Sequence, residues 1–284
     1  MDKITVESPA KLNLGLNIIR KRPDGYHDLE TIFIPLLLSD KISFSKSNEY
    51  AFRTDSILLN ELNDNLILKA VRLLEELTSR KFVLDIYLEK NIPIGGGLGG
   101  GSSNAAIALK TINKLFDLRL DYKVLADLAL QLGSDVPYFL NPIVTYAESR
   151  GEILHPFNLE IPYPILVVNP RIKIDTGWAF KKIRPVHPIM NLRDILKKVL
   201  IDFDRLKSYV KNDFEAVVFK EFPLIEQIKE EFYQQGAEFA LMSGTGSTVY
   251  GIFSNLQKAY LAEEYFKQQY FTFLNNPFTK GSIT

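Results

Sequence analysis

Residues 95–106 of the chain have the sequence GGGLGGGSSNAA, in which six of the first seven residues are glycine. Glycine lets the backbone N–H groups of such a loop turn toward a common point. Ser102, Ser103 and Asn104 then begin an alanine-rich apolar stretch that is typical of a helix. A helix N-terminus adds unsatisfied donors and the positive end of the helix dipole. The pattern predicts a phosphate-binding loop at 95–103, with a purely structural turn as the alternative.

This glycine loop differs from two familiar phosphate loops. It lacks the Gly-Lys-Ser/Thr sequence of a P-loop. Ser102 occupies the position at which a protein-kinase glycine loop has valine, and the chain contains neither HRD nor DFG. Gly95, Gly97 and Gly100 satisfy G-x-G-x-x-G after a predicted strand, but a run this rich in glycine fits many patterns. A dinucleotide-binding oxidoreductase therefore stays an alternative.

The composition is that of a globular protein that handles a small molecule. The 284 residues are 46% apolar and 24% charged, which supplies a sizeable core and argues against wholesale disorder. Lys plus Arg and Asp plus Glu number 34 each, so the zero net charge offers no attraction to a nucleic-acid polymer. The absence of cysteine excludes disulfides, thiolate nucleophiles and Cys-ligated metals. No apolar stretch approaches the roughly 18 residues that span a membrane, and a signal-peptide pattern is lacking, so we expect a cytoplasmic protein.

Hydrophobic periodicity predicts an α+β chain, because strands come in runs and do not alternate strictly with helices. Strands are predicted at 3–8, 12–19, 29–38, 41–46, 50–53, 82–88, 143–147, 237–242 and 248–253, and at ILVVN. Helices are predicted at 65–79 after a cap at Asp64, at 102–115, from Asp121 to Gly133, several times within 176–235, and at 255–268. The stretch HPFNLEIPYP at 155–164 carries three prolines, so we place the domain boundary there, between domains at 1–155 and 156–284.

Four stretches resemble the GHMP kinase superfamily. They are PAKLNLGLNIIRKRPDGYHDLET at 9–31, IPIGGGLGGGSSNAA at 92–106, LGSDVPYF at 132–139 and SGTGSTVYGIF at 243–253. Within the superfamily, the long glycine run and the DGYH turn are similar to those of the kinases that act on 4-diphosphocytidyl-2-C-methyl-D-erythritol. Two positions depart from that family, since Ser149 stands where glycine is usual and Leu37 where an acidic residue is usual.

The resemblance implies both a fold and a reaction. The fold is the two-domain GHMP kinase fold, with an ATP-binding N-terminal domain like domain 2 of ribosomal protein S5 and a ferredoxin-like C-terminal domain. The reaction is transfer of the ATP γ-phosphate to the 2-hydroxyl of 4-diphosphocytidyl-2-C-methyl-D-erythritol, which gives the 2-phosphate and ADP in the non-mevalonate isoprenoid pathway. The partner expected is thus a small molecule with a cytidine diphosphate group, bound by a monomer or a homodimer.

The resemblance implies catalytic roles for Asp135 and Lys11. Asp135 matches the catalytic base, which orients the acceptor hydroxyl and takes its proton late in phosphoryl transfer; as a bare residue it would equally fit a helix cap or Asx turn. Lys11 matches a residue that points into the site and stabilises the transferred charge, although a lysine on an apolar segment can also extend to the surface at a strand edge. Asn13 lies two residues further on, so on a strand it faces the same side as Lys11 and suits the methylerythritol hydroxyls.

ATP is implied to bind along the glycine loop. The residues implied are Pro93, Ile94, Gly95, Gly96, Gly97, Leu98, Gly99, Gly100, Gly101, Ser102 and Ser103, with Lys90 and Asn65 near the adenine. Lys90 and Asn65 also fit a solvated surface. Ser103 matches a superfamily serine that contacts Mg²⁺, but no acidic cluster has the spacing of a protein metal cage. Mg²⁺ is therefore expected to arrive with ATP and to keep several waters.

The resemblance also implies a cytosine site at the DGYH turn. Tyr26 would stack on the base and His27 would hydrogen bond to it, although a lone histidine on a turn is usually a solvated surface residue. Phe180 matches a second stacking ring, with Trp178 as its competitor, and either ring also fits a core.

Further substrate contacts are implied near the diphosphate. Thr176 matches a substrate contact, with a helix cap as the alternative. Gly244, Thr245 and Gly246 belong to a second Gly/Ser loop that would close over the diphosphate, with a tight hairpin as the alternative.

Two other functions remain open at this point. Another GHMP kinase, acting on mevalonate, homoserine or a sugar, would keep the glycine loop but would not need the DGYH turn. A non-catalytic nucleotide-binding module would tolerate the loss of Lys11 and Asp135, yet both residues are present.

Overall fold

The computed structural model describes residues 3–60, 65–188, 190–199 and 203–277. The strands are β1 (Lys3–Lys21), β2 (His27–Lys46), β3 (Ala51–Thr54), β4 (Leu84–Glu89), β5 (Thr145–Ser149), β6 (Ile153–Pro156), β7 (Ile165–Asn169), β8 (Phe239–Met242), β9 (Val249–Ile252) and β10 (Phe271–Asn275). The helices are α1 (Ile57–Asn60), α2 (Leu66–Thr78), α3 (Gly100–Leu115), α4 (Tyr122–Leu132), α5 (Thr176–Lys182), α6 (Leu192–Val199), α7 (Phe203–Tyr209), α8 (Glu215–Glu221), α9 (Pro223–Gln234) and α10 (Leu256–Phe266), with a 3₁₀ helix at Pro137–Leu140. None of the helices in the described residues is long and apolar enough to cross a membrane.

The chain forms two compact units whose segments alternate along the sequence. The first unit comprises the described residues of Met1–Ala10, Leu38–Ile92 and Gly99–Pro142, and the second those of Lys11–Leu37, Pro93–Leu98 and Ile143–Thr284. The division of the sequence at 155/156 stays a prediction.

The first unit combines a small sheet with a helical layer. Strand β4 pairs antiparallel with the 41–46 part of β2 and parallel with β3. Helix α2 packs against α3, and the buried positions of α3 include Ala105, Ala106 and Ala108. Buried positions of α2 recur at helical spacing, at Ile67, Ala70, Val71 and Leu74.

The second unit contains an antiparallel four-stranded sheet in the order β10-β7-β9-β8. Helix α9 packs against β8 and β9, and helix α10 against β7 and β10. Gly251 lies in β9, one of the two inner strands, where a side-chain Cβ would overlap the ring of Phe232 from α9. In the same unit β2 pairs through 29–33 with β5, which pairs in turn with β6.

Most predicted elements are confirmed, but the predicted break after residue 8 is wrong. Strand β1 runs without interruption through Pro9. Among the strands of the described residues β1 pairs only with β2, and proline is tolerated where one edge of a strand needs no N–H donor. The predictions at 29–38 and 41–46 likewise merge into the single strand β2. Strands β6 and β10 were missed.

The helix caps show how local chemistry sets element ends. Asp121 Oδ1 accepts a hydrogen bond from Val124 N at 2.9 Å, which confirms the predicted cap of α4. Asp64, the predicted cap of α2, lies outside the described residues. Asn65 holds that position instead, since its Oδ1 accepts from Ile67 N at 2.8 Å.

Candidate active site

The glycine loop needs its glycines for two separate reasons. Gly95, Gly97 and Gly99 have φ values of 68°, 78° and 71°, in the left-handed region that L side chains rarely adopt. A Cβ at Gly97 would in addition overlap the carbonyl oxygen of Ser243. The chain passes directly from this loop into α3, with Gly99 at the N-cap position.

The second Gly/Ser loop packs against residues 93–98 of the first. Ser243 Oγ donates to the carbonyl oxygen of Gly97 at 3.0 Å, and Thr248 N donates to that of Gly96 at 3.2 Å. A Cβ at Gly244 would lie 3.3 Å from the Cα of Gly97, which is a close approach that favours glycine. The second loop connects the antiparallel strands β8 and β9, as the hairpin alternative predicted, and it also shares hydrogen bonds with the first loop.

Lys11 and Asn13 lie against this surface. Lys11 is 3% exposed, and its Nζ donates to Asn13 Oδ1 at 2.6 Å and to the Gly97 carbonyl at 3.3 Å. The ammonium also lies 5.1 Å from the ring centroid of Phe33. A lysine that merely extends to the surface would expose its ammonium, so the burial of Lys11 excludes that alternative.

Asn13 is fixed from three directions. Its Nδ2 donates to Thr31 Oγ1 at 2.9 Å, its backbone N–H donates to Ser243 Oγ at 3.2 Å, and its carbonyl accepts from Tyr250 OH at 3.1 Å. We call Lys11, Asn13, Gly97 and Ser243 the loop cluster. Sequence reasoning missed Thr31, since nothing local marks a threonine in a long apolar strand as a hydrogen-bond partner.

Asn212 is a further residue that sequence reasoning missed. Its Nδ2 donates to the carbonyl oxygens of Met242 and Gly244 at 2.8 Å each, and its Oδ1 accepts from Phe214 N at 3.0 Å. The side chain therefore fixes the start of the second loop. It lies between α7 and α8, where the sequence carries no motif.

In the first unit, Ser103 and Lys90 are both buried in polar contacts. Ser103 Oγ accepts a hydrogen bond from Ser8 Oγ at 2.8 Å. Lys90 Nζ forms an ion pair with Asp40 Oδ2 at 2.7 Å and donates to the carbonyl of Ile92 at 2.5 Å. Burial lowers the pKa of Lys90, and the adjacent Asp40 opposes that shift. Lys90 thus holds the segment that precedes the glycine loop. Its burial excludes the alternative that it is a solvated surface lysine.

Asp135 lies between the end of α4 and the 3₁₀ helix and is half-buried. Together with burial, which is the larger cause, its negative charge raises the pKa of Tyr138. Gly133, at the C-terminal cap of α4, donates its N–H to the carbonyl of Ala129 at 3.2 Å, and Val136 N donates to Gly133 at 3.1 Å. Asp135 is therefore on a short, hydrogen-bonded turn.

The DGYH segment forms a turn that exposes Tyr26. Asp24 Oδ1 accepts from Tyr26 N at 3.1 Å, and Arg22 N donates to the Tyr26 carbonyl at 2.7 Å. These two bonds orient the start of β2, yet the Tyr26 side chain remains 51% exposed. We call residues 22–28 the nucleobase turn, after the role that the family resemblance implies for it.

His27 is buried and pairs with a ring from α5. It is 6% exposed, and its ring centroid lies 5.2 Å from that of Phe180 with an interplanar angle of 31°. Trp178 instead packs edge-on against Phe222 at 5.8 Å. Burial, followed by the charge of Lys21, lowers the pKa of His27. The lowered pKa favours the neutral imidazole, and the burial of His27 excludes the alternative of a solvated surface histidine.

Helix α5 also reaches the second loop. Thr176 Oγ1 lies 3.3 Å from Thr245 Oγ1. The cap of α5 is Asp175, whose Oδ1 accepts from Trp178 N at 2.6 Å, so capping does not explain Thr176. Gly246 follows Thr245 with φ 87°, and its N–H donates to the Ser243 carbonyl at 3.0 Å.

Comparison with known proteins shows the family to which the chain belongs. The family model for the GHMP kinases N terminal domain matches residues 65–141, and the model for GHMP kinases C terminal matches residues 192–272. A protein of Bacteroides fragilis named 4-diphosphocytidyl-2-C-methyl-D-erythritol kinase is 42% identical over 258 residues, which cover 88% of this chain and 92% of that protein. A protein of the same name from Chlorobium phaeobacteroides is 38% identical over 98% of this chain and 99% of its own length.

A solved structure supports the same assignment. The crystal structure of a 4-(cytidine 5'-diphospho)-2C-methyl-D-erythritol kinase superposes with a TM-score of 0.81 at 31% identity, over 95% of this chain and 98% of that one. The fold, the two family models and the full-length relatives therefore agree. The chain belongs to the GHMP kinases, in the family of the 4-diphosphocytidyl-2-C-methyl-D-erythritol kinases.

Proposed function

We propose that this chain transfers the γ-phosphate of ATP to the 2-hydroxyl of 4-diphosphocytidyl-2-C-methyl-D-erythritol and releases ADP. The observation that carries the proposal is the loop cluster, in which a buried ammonium is held against the carbonyl of a glycine loop by Asn13 at 2.6 Å and Gly97 at 3.3 Å. The ammonium of Lys11 offsets the charge that develops on the transferred phosphoryl group.

The roles of the reacting groups follow from the chemistry of phosphoryl transfer. The oxygen of the acceptor hydroxyl forms a bond to the γ-phosphorus while the bond from that phosphorus to the β–γ bridging oxygen breaks. ADP leaves with the electron pair, and the hydroxyl proton passes to the carboxylate of Asp135. Since the transition state is loose, the base mainly orients the hydroxyl and accepts the proton late. Asn13 holds Lys11 and offers its amide to the acceptor.

The ATP phosphates would bind the backbone N–H groups of the glycine loop at 95–103. Left-handed φ values at Gly95 and Gly97 give the loop a backbone path that L side chains rarely adopt, and the start of α3 adds donors and a positive dipole end. Lys90, by its ion pair with Asp40, holds the segment that leads into the loop. Asn65, as the cap of α2, lies in the first unit with Lys90.

Mg²⁺ would accompany ATP and would not occupy a protein cage. Among the described residues, no group of three or more histidine, cysteine, aspartate or glutamate side chains is arranged to hold a metal. Two buried oxygens at the start of α3 suit a hard cation or its waters, namely Ser103 Oγ and Asn104 Oδ1, of which the latter has no hydrogen-bond partner. The ion would neutralise charge on the β- and γ-phosphates.

The nucleobase turn would bind the cytosine. Tyr26 offers an exposed ring face for stacking, and the neutral imidazole of His27 is positioned by Phe180. Thr176 and the loop residues Gly244, Thr245 and Gly246 would face the diphosphate. A kinase for mevalonate or homoserine would have no nucleobase to bind at this turn.

A coupled ADP-release assay tests the proposal. The acceptors are 4-diphosphocytidyl-2-C-methyl-D-erythritol, mevalonate and homoserine, each at the same ATP concentration. We expect turnover with the cytidyl acceptor only, and a fall of roughly 10²-fold or more in the Asp135→Asn variant with ATP affinity changed only a few-fold. Faster turnover of mevalonate or homoserine would point to another GHMP kinase, and no turnover of any acceptor would favour a nucleotide-binding module.

A further inference from the structure

One face of the Tyr26 ring is already covered by a cation. The guanidinium carbon of Arg150 lies 4.5 Å from the ring centroid of Tyr26. A guanidinium at this distance from an aromatic ring is attracted by the ring's negative face. Tyr26 is nevertheless 51% exposed, so its remaining surface is open to a ligand.

Arg150 is itself fixed by a carboxylate in the turn between β5 and β6. Glu152 Oε2 accepts from Arg150 N at 2.6 Å, and Glu152 Oε1 accepts from Arg150 Nε at 3.3 Å. Burial alone would raise the pKa of Glu152, but hydrogen bonds from backbone N–H groups, Ser149 and Arg150 together hold that pKa below its ordinary value. The carboxylate therefore stays ionised and keeps the guanidinium in place.

A hydroxyl group joins this turn to the nucleobase turn. Ser149 Oγ donates to Glu152 Oε1 at 3.1 Å and accepts from Arg22 Nη1 at 3.0 Å. Arg22 also pairs with Asp24 at 3.0 Å and donates its backbone N–H to the Tyr26 carbonyl at 2.7 Å. The backbone and the ring of Tyr26 are thus both tied to residues 149–152.

We infer that Arg150 is a positioning residue for nucleobase recognition. By covering one face of Tyr26 and restricting the rotation of its side chain, it leaves the opposite face as the stacking surface and reduces the entropy that is lost when a base binds. Arg150 acts through Tyr26 and does not contact the substrate. The inference rests on the proposed function, since it requires Tyr26 to stack on the cytosine.

The test is steady-state kinetics of Arg150→Ala with the cytidyl acceptor and ATP. Loss of the cation–π contact between Arg150 and Tyr26 should raise KM for the cytidyl acceptor about 2- to 5-fold, the size expected of such contacts at exposed positions. The value of kcat and the KM for ATP should not change, which distinguishes positioning from a general loss of structure. Arg150→Lys keeps a cation and should restore most of the affinity, whereas Arg150→Met keeps the length without the charge and should behave like alanine.

A double-variant cycle with Tyr26→Ala separates the remaining outcomes. If Arg150 acts through Tyr26, then Arg150→Ala adds nothing to the KM of the Tyr26→Ala enzyme. A further increase in that background would overturn the inference, because Arg150 would then contact the substrate directly. If Tyr26→Ala raises KM and Arg150→Ala does not, only the role of Arg150 is wrong. If Tyr26→Ala leaves KM unchanged, cytosine stacking fails as well. Circular dichroism of each variant verifies folding.

Discussion

The loop cluster and the nucleobase turn are held in opposite ways within the same unit. Lys11, Asn13 and Ser243 are 0–3% exposed and bind backbone carbonyls or each other. Tyr26 is 51% exposed and is oriented by charged side chains and an Asx turn. Buried polar contacts are stronger and less tolerant of change than exposed ones. We therefore expect changes in the loop cluster to affect turnover or folding, and changes in the nucleobase turn to affect affinity for one substrate.

The largest effect is expected for Lys11→Met, which removes the internal cation but keeps most of its volume. Loss of one group that stabilises transition-state charge lowers kcat by about 10²- to 10³-fold. Methionine removes the Lys11 donor from the Gly97 carbonyl and from Asn13 Oδ1, but Ser243 Oγ still reaches both oxygens. The unfolding free energy should therefore fall by about 0.5–1.5 kcal/mol. Single-turnover kinetics and thermal melting measure the two effects. A kcat within 10-fold of the wild type would remove Lys11 from the chemistry.

Next in size is Gly97→Ala, for which Gly25→Ala is a matched control. Both glycines have left-handed backbones, with φ 78° and 87°. A Cβ at Gly97 overlaps the Ser243 carbonyl, whereas a Cβ at Gly25 has no neighbour within 4 Å. Left-handed strain costs about 1–2 kcal/mol in each variant, and the overlap at Gly97 adds about 1–3 kcal/mol. Urea unfolding should show the larger loss for Gly97→Ala. Equal losses of unfolding free energy in the two variants would mean that the Ser243 carbonyl is not in close contact with Gly97.

Tyr26→Ala tests the other side of the comparison. Stacking of a base on an aromatic ring contributes about 1–3 kcal/mol, which corresponds to an increase of roughly 5- to 150-fold in KM for the cytidyl acceptor. The KM for ATP and the melting temperature should barely change, because Tyr26 is exposed and outside the core. Equal increases for both substrates would show that the turn is structural.

The sequence was sufficient for features that depend on neighbours in the chain. Glycines followed by a helix start predicted the loop before α3, and Asp121 predicted the cap of α4, because both depend on residues within one or two turns. The DGYH turn is local in the same sense. The family resemblance added predicted roles for the site residues, which hydrophobic periodicity alone could not supply.

Contacts between segments that are distant in the chain could not be predicted from local sequence patterns. Ser243 bonds to Gly97 across 146 residues, and Lys11 bonds to the same carbonyl across 86. His27 contacts Phe180, and Arg150 covers one face of Tyr26. Pro9 was misjudged for a related reason, since tolerance of proline depends on which strand edge is paired. Such pairings arise from the tertiary fold.

A smaller effect is expected from pH at the nucleobase turn. The pKa of His27 is lowered from its ordinary value of about 6.5, mainly by burial. In the folded state His27 therefore binds fewer protons than in the unfolded chain. Its contribution to stability is present above about pH 6.5 and is lost as pH falls through the lowered pKa. KM for the cytidyl acceptor should be constant above pH 6.5 and rise below it, and His27→Asn should flatten that rise. A rise that begins above pH 7 would contradict a lowered pKa.

The smallest effect concerns Ser149, the position at which the family usually has glycine. Ser149 has φ 65°, so its backbone is left-handed while its hydroxyl bridges Arg22 and Glu152. Ser149→Ala and Ser149→Gly both remove that bridge, but only glycine also relieves the strain, which is about 1–2 kcal/mol. The glycine variant should therefore melt a few degrees above the alanine variant, at about 2–4 °C per kcal/mol. At an ordinary strand position the order is reversed, because glycine loses more conformational entropy on folding than alanine. An alanine variant that melts at or above the glycine variant would contradict the left-handed turn. The expected order would show that this chain keeps a strained residue whose hydroxyl bridges Arg22 and Glu152.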